Sequence, residues 1–207
     1  MKNQLTTEFQ TRLWHAVKAI EQDSQAEVVV VLRSSSDSYA SIPLVWGLFA
    51  AWLAHTYMIY APDFFENWLV YYIPIFAFAS SYAFAHLPWI KRICSKKKTL
   101  QKKVEIMARA LFQKGGIQHT RSKIGVLIYC SFLEQTVTIL PDRGLEMAIP
   151  AEEWQVLRHQ FNQIFSEKNP MLALLSALQH TQTLFASYLP VQAGDINELP
   201  DVMEIDL

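Results

Sequence analysis

Apolar positions recur in three different rhythms along this chain, and each rhythm predicts a different element. Over residues 5–23, Leu5, Phe9, Leu13, Ala16, Val17 and Ile20 return at three- and four-residue steps, the spacing of an amphipathic helix. Thr7 and Gln10 are placed to form a capping box at its start. In 27-EVVVVL-32 the apolar residues are continuous and β-branched, as in a strand buried on both faces of a parallel sheet. The third rhythm is the longest: from Pro43 to Ala61 there are 19 residues without charge, and from Trp68 to Ile90 there are 23 before the next one.

A hydrocarbon core about 30 Å thick needs roughly 20 helical residues to cross it. Both apolar segments meet that length, and 62-PDFFEN-67 is a polar break between them. Trp46, Tyr60, Trp68 and Trp89 stand near segment ends, where an aromatic belt would put them. Pro74, inside the second segment, would kink a soluble helix badly but is tolerated in membranes. The pattern therefore predicts a transmembrane helical hairpin over 41–90; the alternative is a buried hairpin in a soluble core.

After the hairpin, residues 96–114 read as a helix, with Leu100, Val104, Met107, Ala108, Leu111 and Phe112 on one face and Gly115-Gly116 ending it. The runs 123-KIGVLIYCSF-132 and 136-TVTILPD-142, joined by 133-LEQ-135, read as a β-hairpin. A helix follows from Pro150 and another from Asn169-Pro170 to Tyr188. A lone strand at 27–32 cannot be stable, so it is expected to pair, in parallel, with 124–131. The fold class is then α/β, a small mixed sheet flanked by helices and interrupted by the hairpin. Its parts are 1–40 and 91–190 for the soluble domain, 41–90 for the membrane hairpin and 191–207 for an acidic, loosely ordered tail.

Charge adds an orientation. The 207-residue chain has a net charge of −1, which points to no class of partner, but the charges are segregated. No basic residue lies between Ser34 and Ile90, whereas Lys91 to Lys123 holds eleven Lys/Arg against one acid, Glu105. Basic flanks stay inside, so the N- and C-termini are expected in the cytoplasm, with the short loop outside. MKNQLTTEFQ lacks the apolar core of a secretory signal, and Cys94 and Cys130 form neither a disulfide framework nor a zinc pattern. Lys91, Arg92, Lys96, Lys97, Lys98, Lys102 and Lys103 form a juxtamembrane cluster. Such a cluster attracts anionic headgroups at about 1 kcal/mol per residue near the surface, a better account than nucleic-acid binding. The helix at 96–114 would hold the domain on the inner leaflet, and the acidic stretch 195–206 would point away from it.

Several stretches resemble the TPM domain family: 27-EVVVVL-32 followed by Ser38-Tyr39, the run 123-KIGVLIYCSFLEQTVTILPDRGL-145, Trp154 and 196-INELPD-201. The resemblance is to the bacterial branch in which a transmembrane hairpin interrupts the domain, and it implies an α/β sandwich around a small mixed sheet. Phosphatase activity and binding of calcium or another divalent cation have been proposed for some members. Chloroplast members are linked to photosystem repair, and an animal member is an auxiliary subunit of a receptor channel. Many relatives sit outside the cytoplasm, and the inserted spans and inside orientation of this chain depart from that pattern.

The candidate chemistry is sparse. Asp142-Arg143-Gly144 follows the second hairpin strand, where Asp142 could be a nucleophile or metal ligand with Arg143 beside it; a plain turn explains the same residues. The loop 34-SSSDSY-39 follows the first strand at its carboxyl end, where Asp37 could help hold an ion; a solvated linker is the alternative. No phosphate-cradling G-x-x-x-x-G-K or clustered D-x-D occurs. His55 and His86 lie within the apolar segments, but at about 1.5 Å per residue their depths from the inner end differ, roughly 18 and 6 Å. They do not form a haem pair within one hairpin. The reading is an inner-membrane protein with a cytoplasmic TPM-like domain, acting as an accessory or assembly and repair factor for a membrane-protein partner. The alternative is a membrane-tethered, divalent-cation-dependent phosphatase.

Overall fold

Glu27–Arg33 (β1) is buried along nearly its whole length, and the fold is organised around covering both of its faces and both of its edges. The computed structural model describes residues 7–62, 64–120, 122–191 and the backbone of 203–206. On one edge β1 pairs in parallel with Gly125–Ser131 (β2), Glu27 opposite Gly125 and Arg33 opposite Ser131. This is the pairing across the insertion that the continuous apolar run predicts. β2 turns back into Thr136–Pro141 (β3), antiparallel, with Ser131 opposite Thr136. On its other edge β1 pairs in parallel with Met203–Asp206 (β4), so the sheet order is β3-β2-β1-β4. That last strand corrects the expectation of a loose tail. The acids around it suggest solvation, but a central parallel strand needs a hydrogen-bonding partner on each side, and the tail supplies the second. Residues 192–202 and 207 of the tail lie outside the described residues.

The side chains of β1 and β2 alternate between two cores. Val28, Val30, Leu32, Val126, Ile128 and Cys130 face a cluster built from Thr7–Asp23 (α1), Ala151–Gln163 (α7) and Pro170–Tyr188 (α8), where Leu13, Leu157, Phe161 and Phe185 are fully buried. Val31, Leu127 and Tyr129 face the opposite way, onto Val104 and Ala108 of Lys97–Lys114 (α5) and onto Ile117. Each such side chain contributes about 1.5–3 kcal/mol by leaving water. Asn169 caps α8 by accepting from the backbone N–H groups of Met171 and Leu172, as its position before Pro170 predicts. Thr7 is already helical, so it stands inside α1 rather than ahead of it. The ends of α1 and α8 are clipped by Gln25 N–H donating to the Leu189 carbonyl at 3.0 Å. α5 ends as expected at Gly115-Gly116, with Gly116 at φ 68°.

Residues 1–36 and 101–207 make one compact unit, and Asp37–Leu100 makes a second. The second contains Ser41–Tyr60 (α2), Asn67–Ala85 (α3) and Pro88–Cys94 (α4). α2 and α3 pack closely where Gly47 meets the ring of Phe78; a Cβ at Gly47 would come within 2.8 Å of it. The second apolar helix stops at Ala85 instead of running to Ile90. Leu87 is forced extended (φ −60°, ψ 132°) ahead of Pro88, which then opens α4. Both α2 and α3 are long and apolar enough to cross a membrane. Only 17% and 6% of their most apolar stretches are buried, which is not the behaviour of a soluble core helix. Among the described residues, all but six of the exposed large hydrophobic residues lie between Leu44 and Ile93.

Because β4 supplies one edge of β1, removal of residues 203–207 is expected to speed amide hydrogen exchange across Val30–Arg33. Exchange in α2 and α3 should be unchanged.

Candidate functional site

In open α/β sheets, ligands gather beyond the carboxyl ends of parallel strands. Here β1 and β2 end side by side at Arg33 and Ser131. The chain beyond β1 is bound to the turn beyond β2: Phe132 N–H donates to the Arg33 carbonyl at 3.0 Å, and Leu133 N–H to the Ser34 carbonyl at 2.9 Å. That turn, closed by Gln135 at φ 50°, aims Glu134 inward. Glu134 Oε1 accepts from Ser36 N–H at 2.9 Å, and its Oε2 accepts from the Ser131 hydroxyl. The Ser36 hydroxyl shares a hydrogen bond of 2.9 Å with the Tyr129 hydroxyl. Ser36, Tyr129, Ser131 and Glu134 are all buried.

Burial pushes the Tyr129 phenol above its ordinary value, the bond to Ser36 pulls it back, and the charge of Glu134 raises it again. Tyr129 is therefore a neutral hydrogen-bonding group. Glu134 spends both carboxylate oxygens on its neighbours, so the cluster acts as a latch that fixes Ser36, where the chain leaves the sheet. The sequence reading passed over Glu134, Ser131 and Tyr129. A single acid in the turn of an otherwise apolar hairpin was the signal that it points inward.

Asp37, one residue further on, uses Oδ1 to accept from Ser38 N–H at 2.7 Å. Asp142 belongs to the other end of the sheet. Its N–H donates to the Gly125 carbonyl at 2.7 Å, at the start of β2. Ser36 and Asp142 are thus separated by the length of β2, roughly 20 Å for its residues at about 3.3 Å each, and the two ends do not share one ion site. Asp142 is the N-cap of Arg143–Ala148 (α6), a short helix in place of the plain turn that is one expectation for Asp-Arg-Gly: Oδ1 accepts from Arg143 N–H at 2.7 Å. Gly144 follows because nothing else fits; a Cβ there would lie 2.5 Å from the Ser122 carbonyl oxygen and 2.6 Å from that of Lys123. Arg143 is exposed. The three residues are accounted for as cap, surface residue and close approach. Asp142 Oδ2, however, is buried and has no hydrogen-bond partner among the described residues.

Among the described residues, no group of three or more His, Cys, Asp or Glu is placed to hold a metal ion. Cys130 is buried among apolar side chains, which pushes its thiol up to about 12. His55 is exposed on α2, and His86 ends α3 with its ring 4.8 Å from that of Tyr82. Lys91 and Arg92 lie on α4, and Lys97, Lys98, Lys102 and Lys103 on α5, with Lys96 just before it; Arg92, Lys96, Lys97, Lys98 and Lys102 are exposed.

Residues 93–184 match the TPM domain. The match takes in α5, the β2–β3 hairpin, the Asp142–Gly144 turn and Trp154, and it leaves out 27–32 and 196–201, which the sequence resemblance also used. The fold is similar to the NMR structure of the BA42 protein from the psychrophilic bacterium Bizionia argentinensis, with a TM-score of 0.60 at 17% identity, over 97% of this chain and 94% of that one. A comparison with curated proteins found no match.

Two outcomes follow from this geometry. Glu134→Ala leaves the Ser36 N–H and the Ser131 hydroxyl without their acceptor, at about 1–3 kcal/mol for each buried group. Trypsin is expected to cut after Arg33 faster than in the wild-type protein, with Glu134→Gln intermediate. Cys130 makes the fold sensitive to alkali. Its folded value is raised from 9.0 to about 12, so its contribution is intact below about pH 9. It is lost as pH rises through that window, by about 1.4 kcal/mol per unit. Denaturation midpoints measured from pH 8 to 11 should fall less steeply for Cys130→Ala.

Proposed function

We propose that this chain is an integral protein of the bacterial inner membrane, with α2 and α3 as its two spans, both termini in the cytoplasm and a cytoplasmic TPM-like domain. The domain serves as an accessory or assembly and repair factor for a membrane-protein partner. The observation that carries this reading is a pair of long apolar helices with exposed side chains, inserted between two adjacent strands of one sheet and followed by the basic run from Lys91 to Lys103. Cations on that flank favour the cytoplasmic side and attract anionic lipid. The latch at Glu134 fits the same role, because it fixes the point where the chain leaves the domain.

The buried Oδ2 of Asp142, without a partner among the described residues, favours a second reading, a membrane-tethered phosphatase using calcium or another divalent cation. Asp142 would then be the metal ligand or nucleophile, with Arg143 beside it; Asp37 would be a separate ligand.

Reporter fusions after Lys98 and at residue 63 test the topology: the first should report cytoplasm and the second the outside, and a cytoplasmic signal at residue 63 removes it. Purification in mild detergent should bring down a stoichiometric membrane-protein partner. Hydrolysis of a generic phosphomonoester that needs added metal and falls at least tenfold in Asp142→Asn would instead establish the second reading.

A further inference from the structure

The hairpin unit contains a cavity of about 190 Å³ between α2, the end of α3 and α4. Its walls include Trp46, Phe84, Trp89 and Ile93, with Ser81 and Cys94 the polar contributors. Those two are engaged with the wall itself: the Ser81 hydroxyl donates to the Trp46 carbonyl at 3.2 Å, and the Trp46 indole N–H donates to Cys94 Sγ at 3.3 Å. The space therefore faces hydrocarbon and aromatic surface. An apolar cavity of about 150 Å³ stays dry and accepts a hydrocarbon guest of benzene size, so this one has room for a short length of acyl chain.

What surrounds the cavity is as informative as its lining. Trp89 and Ile93, one turn apart on α4, are 54% and 74% exposed beside it. The same seven-residue helix carries Lys91 and Arg92, and Lys96, Lys97 and Lys98 follow at once. Lys91 is committed, its Nζ donating to the Ser38 carbonyl at 3.0 Å; Arg92 and Lys96 to Lys98 are exposed. No acidic residue occurs from Asn67 to Val104, so no carboxylate from this stretch neutralises them. An apolar slot beside a run of exposed cations is complementary to one class of molecule, an anionic amphiphile.

The geometry points to a resident anionic phospholipid, with one acyl chain in the cavity walled by Trp46, Phe84, Trp89 and Ile93 and its phosphate met by Arg92 and the lysines at 96–98. This rests on the reading of α2 and α3 as membrane spans, and it adds to that reading a discrete site in place of a general attraction between basic residues and the leaflet. Trp46 and Trp89 would be in contact with the chain.

The test uses the full-length protein in vesicles of phosphatidylcholine, with one tenth of the lipid replaced by brominated phosphatidylglycerol or, separately, brominated phosphatidylcholine. Bromine quenches tryptophan on contact, and quenching at least twofold greater with the anionic lipid is expected. Equal quenching overturns the proposal. Native mass spectrometry should find one phosphatidylglycerol retained per chain, lost at least tenfold in Ser81→Phe, which fills the cavity. The double variant Arg92→Gln with Lys97→Gln leaves the cavity open and should keep a lipid while losing the anionic preference; an unchanged preference overturns the proposal. An acyl mass that persists on the denatured chain also overturns it, since the slot would then belong to a tethered chain on Cys94. Resistance of the protein to alkaline carbonate extraction is read separately. Extraction removes the membrane-span reading itself, whereas resistance with equal quenching removes this site alone.

Discussion

Everything in the unit formed by residues 1–36 and 101–207 depends on the parallel pairing of β1 with β2. β1 is apolar on both faces and hydrogen-bonded on both edges, so it is stable only in the middle of a sheet. Its neighbour on one side is reached only after the chain has run through the whole of α2, α3, α4 and α5. A parallel pair always needs such a crossover. In this chain the crossover is unusually elaborate, because a unit of its own, Asp37–Leu100, is built into it. The hydrogen bonds from Phe132 and Leu133 to Arg33 and Ser34, with Glu134 behind them, secure the place where the chain leaves.

The parts of this architecture that were legible in the sequence are those with a strong rhythm. The β-branched run at 27–32, the helical stripe from Leu100 to Phe112 and the hairpin around Gly125–Pro141 needed no tertiary information. Three features were not legible, for separate reasons. β4 alternates Met203 and Ile205 with Glu204 and Asp206, but four residues are too few to distinguish a strand from a polar tail. α6 is only six residues long, and its Asp-Arg-Gly start has the composition of a turn. The break between α3 and α4 hangs on Pro88, which an apolar run reads straight through.

The chemistry divides between the two ends of the sheet in a way no spacing rule reports. At the carboxyl end of β1 and β2 the polar groups are bonded to one another: Glu134 to Ser36 and Ser131, Ser36 to Tyr129. At the amino end of β2 the cap at Asp142 uses one oxygen and leaves the other without a partner among the described residues. A motif search weights Asp142 and Asp37 alike, because both are acids in turns next to strands. Their difference comes from register, which puts Ser131 opposite Thr136 at one end and Val126 opposite Pro141 at the other.

The strand order also dictates a sequence of events during synthesis. β1 emerges from the ribosome before every one of its partners, and its core is four successive valines and a leucine. Until β2 follows, no edge is available for it to join, and until β4 follows, one side of it stays open. A sheet of such high contact order closes slowly, and an unpaired apolar strand is a template for the wrong neighbour. The nascent chain must therefore carry an apolar, unpaired strand through the making of the entire hairpin unit. This makes the early chain, rather than the finished protein, the natural client for a chaperone.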